Sequence, residues 1–441
     1  MGLKDLFITP IYLVIFTVLA YMIRPYVTNR LTRKYFMPAL LLRFAGAIML
    51  GVIYQFYYGF GGDTLNFFRQ ATIIYEAIWQ DPSVGFQLLT ASAGEYNPET
   101  FAASSRIYWY RSSTEYFLIK IIGFLSVFTL NTYTAIALFF AVFSFAGSWL
   151  MYKVFQERFP ISTKYLSYAI LFIPSCIFWG SGVLKDTISL GALGILVWGL
   201  NKVVYNRSLD LRALVLLLIA AWLIYSIKVY ILLCFIPAAF IWWYFENTHA
   251  IKEPLFKALL IPLFLFVAVI CGYLLLESVA GTSSKYSLDA IAERAYITSY
   301  DIRFYSGKNA GSGYYLGIQD GTWNSLIKLI PSAINVSLFR PYLWEIRNPL
   351  MVLSAIEAAI FLILSALLVL NLTTITLRKK LANPLLRMCV IFSLTFAFAV
   401  GVSTYNFGSL SRYKIPLLPF YGAVLAVGFT KDNVRKRLHT F

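Results

Sequence analysis

The chain has 441 residues, of which 59% are hydrophobic and 13% are charged, whereas about 25% of residues are charged in an ordinary soluble domain. This composition excludes a protein surrounded mainly by water. The net charge of +17 is compatible with a nucleic-acid partner, but the sequence contains no soluble basic domain to bind one. The lysines and arginines instead fall in short loops, as expected at a membrane surface.

Long apolar stretches recur along the chain and predict an all-α, polytopic membrane protein. A bilayer core about 30 Å thick requires roughly 20 apolar residues per helix. We therefore predict one transmembrane domain, residues 1–441, with about eleven spans. The predicted spans are residues 7–24, 37–58, 132–152, 165–182, 187–204, 211–227, 229–246, 257–277, 349–376, 387–405 and 414–430. The first has no basic segment before it and no cleavage site, so we expect it to be retained.

Six basic segments set the predicted orientation, because short loops rich in lysine and arginine stay in the cytoplasm. These segments are residues 24–34, 153–164, 202–212, 252–257, 378–387 and 431–437. All six lie on one side only if the apolar stretch 116–130 does not cross the membrane. That stretch is short for a span, and together with Glu115 and Lys120 it predicts a helix lying in the interface.

Two large segments then lie on the exterior, residues 59–131 and 278–348, together with the corners 180–186 and 406–414. The sequence shows no internal repeat of the kind found in transporters.

Cysteine and histidine usage argues against a metal or redox centre. The cysteines Cys176, Cys234, Cys271 and Cys389 lie in apolar runs without CxxC spacing, so we expect them to be core residues. The two histidines, His249 and His439, fall in basic segments. This pattern excludes a histidine-rich metal site.

Asp63 is the predicted centre of exterior chemistry. It follows a span and the glycines of the sequence YYGFGGD, and glycines permit a tight turn that would hold the carboxylate at the membrane surface. The alternative is that Asp63 simply caps the helix that follows.

Lys185 and Asp186 follow a glycine-containing break between two predicted spans. They could form a plain charge pair that closes a helix hairpin. Alternatively, Lys185 supplies a cation for a phosphate, helped by the amide end of the next helix. Lys228 lies at a predicted exterior turn, where we favour a lysine whose ammonium reaches the membrane surface.

Arg340, Tyr342, Trp344 and Glu345 form a mixed aromatic and charged stretch before a predicted span. Either they bind a ligand or the aromatic residues anchor the protein at the membrane interface. Arg303 upstream is a weaker candidate.

Arg412 and Lys414 lie at the exterior mouth of the last predicted span, against the usual distribution of positive charge. A phosphate ligand explains them better than side chains that merely reach the interface. With Asp63 as the base and Lys185, Arg340, Arg412 and Lys414 as phosphate ligands, the predicted chemistry is proton removal from a hydroxyl while a phosphate departs. Further candidate contacts for sugar or acceptor are Arg111, Asp186, Tyr342, Trp344 and Glu345.

This pattern resembles the GT-C superfamily of polyprenyl-phosphate-dependent glycosyltransferases. The resemblance rests on the early exterior Asp63, the interfacial stretch 116–130 and the sequence RYKIPLLP, residues 412–419. The phrases PSxxFWGSGxLKD and FRPYLWE are also similar to an uncharacterised group of membrane proteins from Bacteroidetes. The resemblance implies a polyprenyl-phosphate-linked sugar donor, Asp63 as the catalytic residue and Arg412 near the donor phosphate. It places the protein in a bacterial inner membrane with its active site facing the periplasm.

Two features depart from the GT-C pattern. The chain has an extra span before the loop that carries Asp63, and Asp63 has no acidic neighbour until Glu76. No cofactor is therefore expected, and a divalent metal, although possible in this superfamily, is not indicated.

The leading hypothesis is an inverting glycosyltransferase that uses a hydroxyl acceptor in contact with membrane lipids. One alternative is a polymerase or ligase of surface glycans, for which the large exterior segment 278–348 would be typical. Another is a flippase or transporter of lipid-linked sugars, which should carry charges along its spans. A purely structural membrane subunit is the fourth.

Overall fold

The computed structural model describes residues 2–59, 61–205, 210–247, 260, 262, 288–301, 312–318, 320–371 and 375–430. These residues are all-α, without a β-strand among them; Gly313 and Asn406 form an isolated β-bridge. The predicted span 257–277 lies outside the described residues apart from 260 and 262, as do Cys271, His249, His439, Arg303 and much of the segment 278–348.

The chain divides into two compact units, each described here by itself. Unit 1 comprises Met1–Met151, Cys176–Lys202 and Ser208–Leu232, and unit 2 comprises Tyr152–Ser175, Val203–Arg207 and Leu233–Phe441.

Unit 1 contains the first helices and the first predicted exterior segment. Its helices are α1 (Leu3–Val27), α2 (Arg33–Val52, continued by a π-helical turn Ile53–Tyr57), α3 (Asp63–Gln80), α4 (Pro82–Thr90), α5 (Phe101–Ser104), α6 (Ser113–Phe128), most of α7 (Tyr133–Arg158), α9 (Pro174–Trp179), most of α10 (Lys185–Val204) and the first half of α11 (Leu211–Asn247). The helix predicted in the interface corresponds to α6. It packs on α3 and α4: a Cβ at Gly123 would contact Ile74 at 3.0 Å, and the hydroxyl of Tyr116 donates to the carbonyl of Leu88.

Glycines bring α7 and α10 into direct backbone contact within unit 1. A Cβ atom at Gly147 would lie 1.9 Å from the carbonyl oxygen of Gly191, and one at Gly194 would lie 2.1 Å from that of Gly147. Membrane helices use small residues in this way, because close backbone approach gains van der Waals contact that apolar lipid cannot oppose.

Unit 2 contains the later helices. They are α8 (Thr163–Leu171), α12 (Leu288–Asp301), α13 (Trp323–Lys328), α14 (Ile330–Phe339), α15 (Pro349–Leu370), α16 (Ile375–Leu381), α17 (Pro384–Thr404), α18 (Phe407–Tyr413) and α19 (Leu418–Phe429), together with the ends of α7 and α11.

Basic residues gather at one end of unit 2, called here the basic end. There Arg158 pairs with Glu246, Arg387 lies 4.3 Å from the ring centroid of Phe245, and Lys380 donates to the carbonyl of Thr430. α15 runs from Pro349 towards this end, and its 22 residues span about 33 Å at 1.5 Å per residue. The start of α15 and the loops beside it form the opposite end, about one membrane thickness away.

Seven helices in the described residues are long and apolar enough to cross a membrane, which supports a membrane-embedded protein. They are Leu3–Val27, Arg33–Tyr57, Tyr133–Arg158, Lys185–Val204, Leu211–Asn247, Pro349–Leu370 and Pro384–Thr404. Two shorter apolar helices, Ile330–Phe339 and Leu418–Phe429, accompany them.

Several predicted spans differ from these helices. The span predicted at 165–182 is broken into α8 and α9, because Pro174 supplies no backbone N–H to continue α8. The spans predicted at 211–227 and 229–246 meet without a loop, at a kink where Lys228 has φ −148° and ψ 74°. The span predicted at 414–430 contains only the 12 helical residues of α19, since turns occupy the residues before Leu418.

Two of the predicted core cysteines, Cys176 and Cys389, are buried, and Cys234 is half-buried.

Candidate functional site

Asp63 is the first residue of α3, and the capping position belongs to Gly62. Gly62 has φ +91°, and a Cβ there would lie 2.3 Å from the Tyr54 ring, so a glycine is required twice over. The hydrogen bond between the hydroxyls of Thr64 and Tyr133 (2.7 Å) ties the start of α3 to α7. Asp63 is half-buried. The capping alternative is therefore wrong in its strict form, although a carboxylate in the first turn still interacts favourably with the helix dipole.

Lys185 forms an ion pair with Glu115, and its ammonium also donates to the hydroxyl of Thr114 at 3.0 Å. Burial alone would raise the pKa of Glu115, but the charge of Lys185 and hydrogen bonds from Lys185, Ser112 and Thr114 lower that pKa to about 2. Glu115 lies on α6, so this ion pair fastens the predicted interfacial helix to the first turn of α10. A phosphate would have to displace Glu115 to reach Lys185.

Asp186 forms a buried ion pair with Lys228, the residue at the kink of α11. The side chains of Asp186 and Lys228 are 2% and 8% exposed. The surface-reaching lysine favoured from the sequence is therefore wrong for Lys228, because a buried carboxylate holds its ammonium inside unit 1. Lys185 pairs with Glu115 and not with its neighbour Asp186.

Arg43 fixes the glycine-containing break before Lys185. Its guanidinium donates to the carbonyl oxygens of Cys176 (2.7 Å) and Gly180 (2.8 Å) and to the hydroxyls of Ser144 and Ser148. The sequence analysis places Arg43 near the end of its span, but α2 begins at Arg33, so Arg43 lies well inside the helix and is 1% exposed. Carbonyls that an interrupted helix leaves free are satisfied by this side chain.

In unit 2, Arg340 and Glu345 form a two-pronged ion pair beside two aromatic residues. The guanidinium of Arg340 bonds both carboxylate oxygens, with Nε to Oε2 at 3.0 Å. Burial alone would raise the pKa of Glu345, but hydrogen bonds from Arg340 and from the backbone N–H of Tyr342 outweigh it and lower that pKa. The rings of Tyr342 and Trp344 stack 4.8 Å apart, and Trp344 is 80% exposed.

Arg412 and Lys414 belong to the same end of unit 2. Arg340 lies 5.4 Å from the ring centroid of Phe407 at the start of α18, the helix that carries Arg412. The ammonium of Lys414, at 0% exposure, donates to the backbone carbonyl of Arg340 at 3.5 Å. The guanidinium of Arg412 lies 4.8 Å from the ring centroid of Tyr413. The structure thus brings together three predicted phosphate ligands from two distant stretches of sequence.

The charge balance of the two units differs. Unit 1 pairs two lysines with two carboxylates in the network Glu115, Lys185, Asp186 and Lys228. The corresponding group in unit 2, called here the phosphate-end cluster, contains four cations and two carboxylates: Arg340, Arg347, Arg412, Lys414, Glu345 and Glu357. The positive excess therefore lies in unit 2.

Arg111 is exposed in the first exterior segment, where it lies 5.7 Å from the ring centroid of Tyr96. No printed contact joins it to Asp63 or Lys185, so its predicted role rests on the sequence alone.

The sequence analysis gave no functional role to Glu115 or Glu357, which the structure places at ion-pairing positions. Glu357 was detectable as an acidic residue inside an apolar run, a pattern that is costly without a partner. Glu115 carried no such signal, since its partner is 70 residues away. Within the described residues, no group of three or more histidine, cysteine or acidic side chains is arranged to hold a metal ion.

Comparison with protein-family models, with curated proteins and with solved structures finds no match. The resemblance to GT-C enzymes stays a prediction from the sequence.

Proposed function

We propose that this protein is a membrane glycosyltransferase of GT-C type. It would transfer a sugar from a polyprenyl-phosphate-linked donor to a hydroxyl acceptor on the periplasmic face of a bacterial inner membrane. The observation that carries the proposal is the phosphate-end cluster, where positive charge exceeds negative charge beside an exposed pair of stacked aromatic rings. Guanidinium groups suit phosphate oxygens, and aromatic faces suit the apolar faces of sugars.

The residues divide into three roles. Arg340 and Arg412 contact the phosphate, while the buried Lys414 adds to the positive potential around it. Trp344 and Tyr342 stack on the sugar. Asp63 accepts the proton of the acceptor hydroxyl as its oxygen bonds to the anomeric carbon and the bond from that carbon to the phosphate oxygen breaks. The departing polyprenyl phosphate carries the negative charge that the arginines stabilise.

Binding of lipid phosphate tests the phosphate assignment. Purified protein in detergent should bind a polyprenyl phosphate but not the matching polyprenol. Arg340→Ala and Arg412→Ala should each weaken this affinity by about tenfold or more, the value of a charge-assisted hydrogen bond. Glu345→Gln should not weaken it, because that change removes the carboxylate that competes for Arg340.

Lys379→Ala is the matched control, since Lys379 is an exposed cation at the basic end of unit 2. Equal affinity for polyprenol and polyprenyl phosphate would contradict the assignment, as would an equal loss in the control.

Asp63→Asn tests the base. Transfer of sugar from a lipid-phosphate donor should fall by about 100-fold or more, the usual contribution of a general base, while lipid phosphate still binds. Glu76→Gln, which changes the next acidic residue of α3 and an exposed ion pair with Arg106, should keep its activity. An Asp63→Asn protein that inserts normally and transfers at full rate would sink this role.

A transporter of lipid-linked sugars is the second candidate. It is favoured by ionisable residues inside helices, which the sequence analysis expected mainly at one face: the pair Asp186 and Lys228, and Glu357. Intramembrane charges of this kind often mark transport pathways. In reconstituted vesicles, movement of lipid-linked sugar without formation of a new glycosidic bond would favour this candidate. A lengthened glycan product would instead indicate a polymerase or ligase.

A further inference from the structure

We infer that Glu357 is the internal counterion of Lys414, and that through this lysine it positions Arg340 for phosphate. The inference rests on the proposed function for its phosphate and on the geometry of unit 2 for its residues.

Glu357 is a buried carboxylate inside α15, at 6% exposure and eight residues beyond the first residue of that helix, Pro349. Its Oε2 accepts a hydrogen bond from the backbone N–H of Ser175 at 2.9 Å. Its Oε1 is buried and has no hydrogen-bond partner among the described residues. Such an oxygen is costly in an apolar helix unless a positive charge lies near it.

Lys414 supplies that charge. It is fully buried between the end of α18 and the start of α19, and it acts electrostatically on Glu357 without a direct ion pair between the two in the described structure. A buried ammonium has the same need as a buried carboxylate, so each of the two makes burial of the other affordable in free energy.

The ammonium of Lys414 also donates to the carbonyl oxygen of Arg340, the residue that ends α14. Lys414 therefore connects the interior of α15 with the backbone that carries the Arg340 guanidinium. A change in its position shifts that backbone, and with it the group that meets phosphate. Glu357 touches no substrate in this scheme and acts only through Lys414.

A neutral contact between the same helices provides the control. The hydroxyls of Ser354 on α15 and Ser411 on α18 are hydrogen-bonded at 3.0 Å. Ser354 lies one helical turn from Glu357, so Ser354→Ala disturbs the same interface without changing its charge.

The first measurement is a double-mutant cycle on the melting temperature of the purified protein without ligand. Glu357→Gln keeps the shape and the hydrogen bond from Ser175 but removes the charge, and Lys414→Met removes the opposite charge. Each single change should lower the melting temperature, and the double variant should melt higher than additivity predicts. Ser354→Ala combined with Lys414→Met should be additive. Additive behaviour of the Glu357 and Lys414 pair would overturn the counterion assignment.

The second measurement is the Kd for a polyprenyl phosphate. Glu357→Gln should weaken binding by about tenfold, Glu357→Asp should recover part of that loss, and Ser354→Ala should leave binding unchanged. A coupled cycle with unchanged affinity in Glu357→Gln would overturn the positioning role. If the wild-type protein bound no lipid phosphate, the proposed function and the positioning role would fail together, while the cycle would still decide the pairing.

Discussion

Arg43 illustrates how this protein holds a charge inside an apolar unit. Its guanidinium is spent on two backbone carbonyls and two serine hydroxyls, so it serves the broken helix before Lys185 and has little left for a ligand. Lys185, Asp186 and Lys228 are likewise compensated inside unit 1. Charges removed from water are retained only when paired or fully hydrogen-bonded. A lone charged residue in the sequence is thus weak evidence for a ligand until its partner is known.

Glu115 provides a test at the scale of the residue. Because its pKa in the folded protein, about 2, lies below the ordinary value of 4.5, its charge contributes stability that is present above about pH 4.5. This contribution is lost as the pH falls towards about 2. Glu115→Gln should therefore melt below wild type at neutral pH, and the difference should shrink across that acidic range. Tryptophan fluorescence in detergent measures both melting curves.

The exposed ion-paired Glu76 supplies the comparison, since Glu76→Gln should change stability little at any pH. A difference between Glu115→Gln and wild type that does not depend on pH would contradict the role given to the pair with Lys185.

At the scale of the element, interruptions of helices position the charged groups. α8 and α9 replace one long span, and the turn after α9 delivers Lys185 and Asp186 to the first turn of α10. The kink at Lys228 lets that residue meet Asp186. The close contact of α7 and α10 through glycine holds this arrangement in unit 1.

Gly147→Ala tests that contact. The added methyl group would lie 1.9 Å from the carbonyl oxygen of Gly191, and backbone cannot rotate away as a side chain can. We expect a loss of about 3 kcal/mol in the free energy of unfolding, measured by denaturation in mixed micelles. Gly2→Ala, where a Cβ meets nothing within 4 Å, should be neutral. A stable Gly147→Ala protein would show that α7 and α10 are not packed this closely.

At the scale of the molecule, the two ends of unit 2 differ in chemistry. The basic end carries residues from three of the predicted cytoplasmic segments, including Arg158, Lys380 and Arg387. The opposite end carries the phosphate-end cluster and the exposed Trp344. This separation along α15 supports the proposed orientation with the cluster outside.

Cysteine labelling tests the orientation. In a protein whose native cysteines are replaced, Trp344→Cys should react with a membrane-impermeant maleimide added from the periplasmic side. Lys379→Cys, equally exposed at the basic end, should react only after the membrane is opened. Labelling of both from the same side, or in the reverse order, would contradict the proposed topology.

The sequence by itself determined the solvent of this protein and the type of its secondary structure. Apolar runs of about 20 residues leave backbone groups that only helices can satisfy in lipid, and seven such helices are present. It also identified the stretches that meet in unit 2, since Arg340, Arg412 and Lys414 were selected by their position at apolar boundaries. The function it predicted stays a proposal.

Only the tertiary structure decided which charges compensate one another. Glu115 pairs with Lys185 across 70 residues, and Asp186 passes over its neighbour to pair with Lys228. It also decided that α8 ends before Pro174 and that Glu357 lies near Lys414. The physical reason is that hydropathy reports the cost of burying a charge, whereas the compensation depends on which distant segments fold against it.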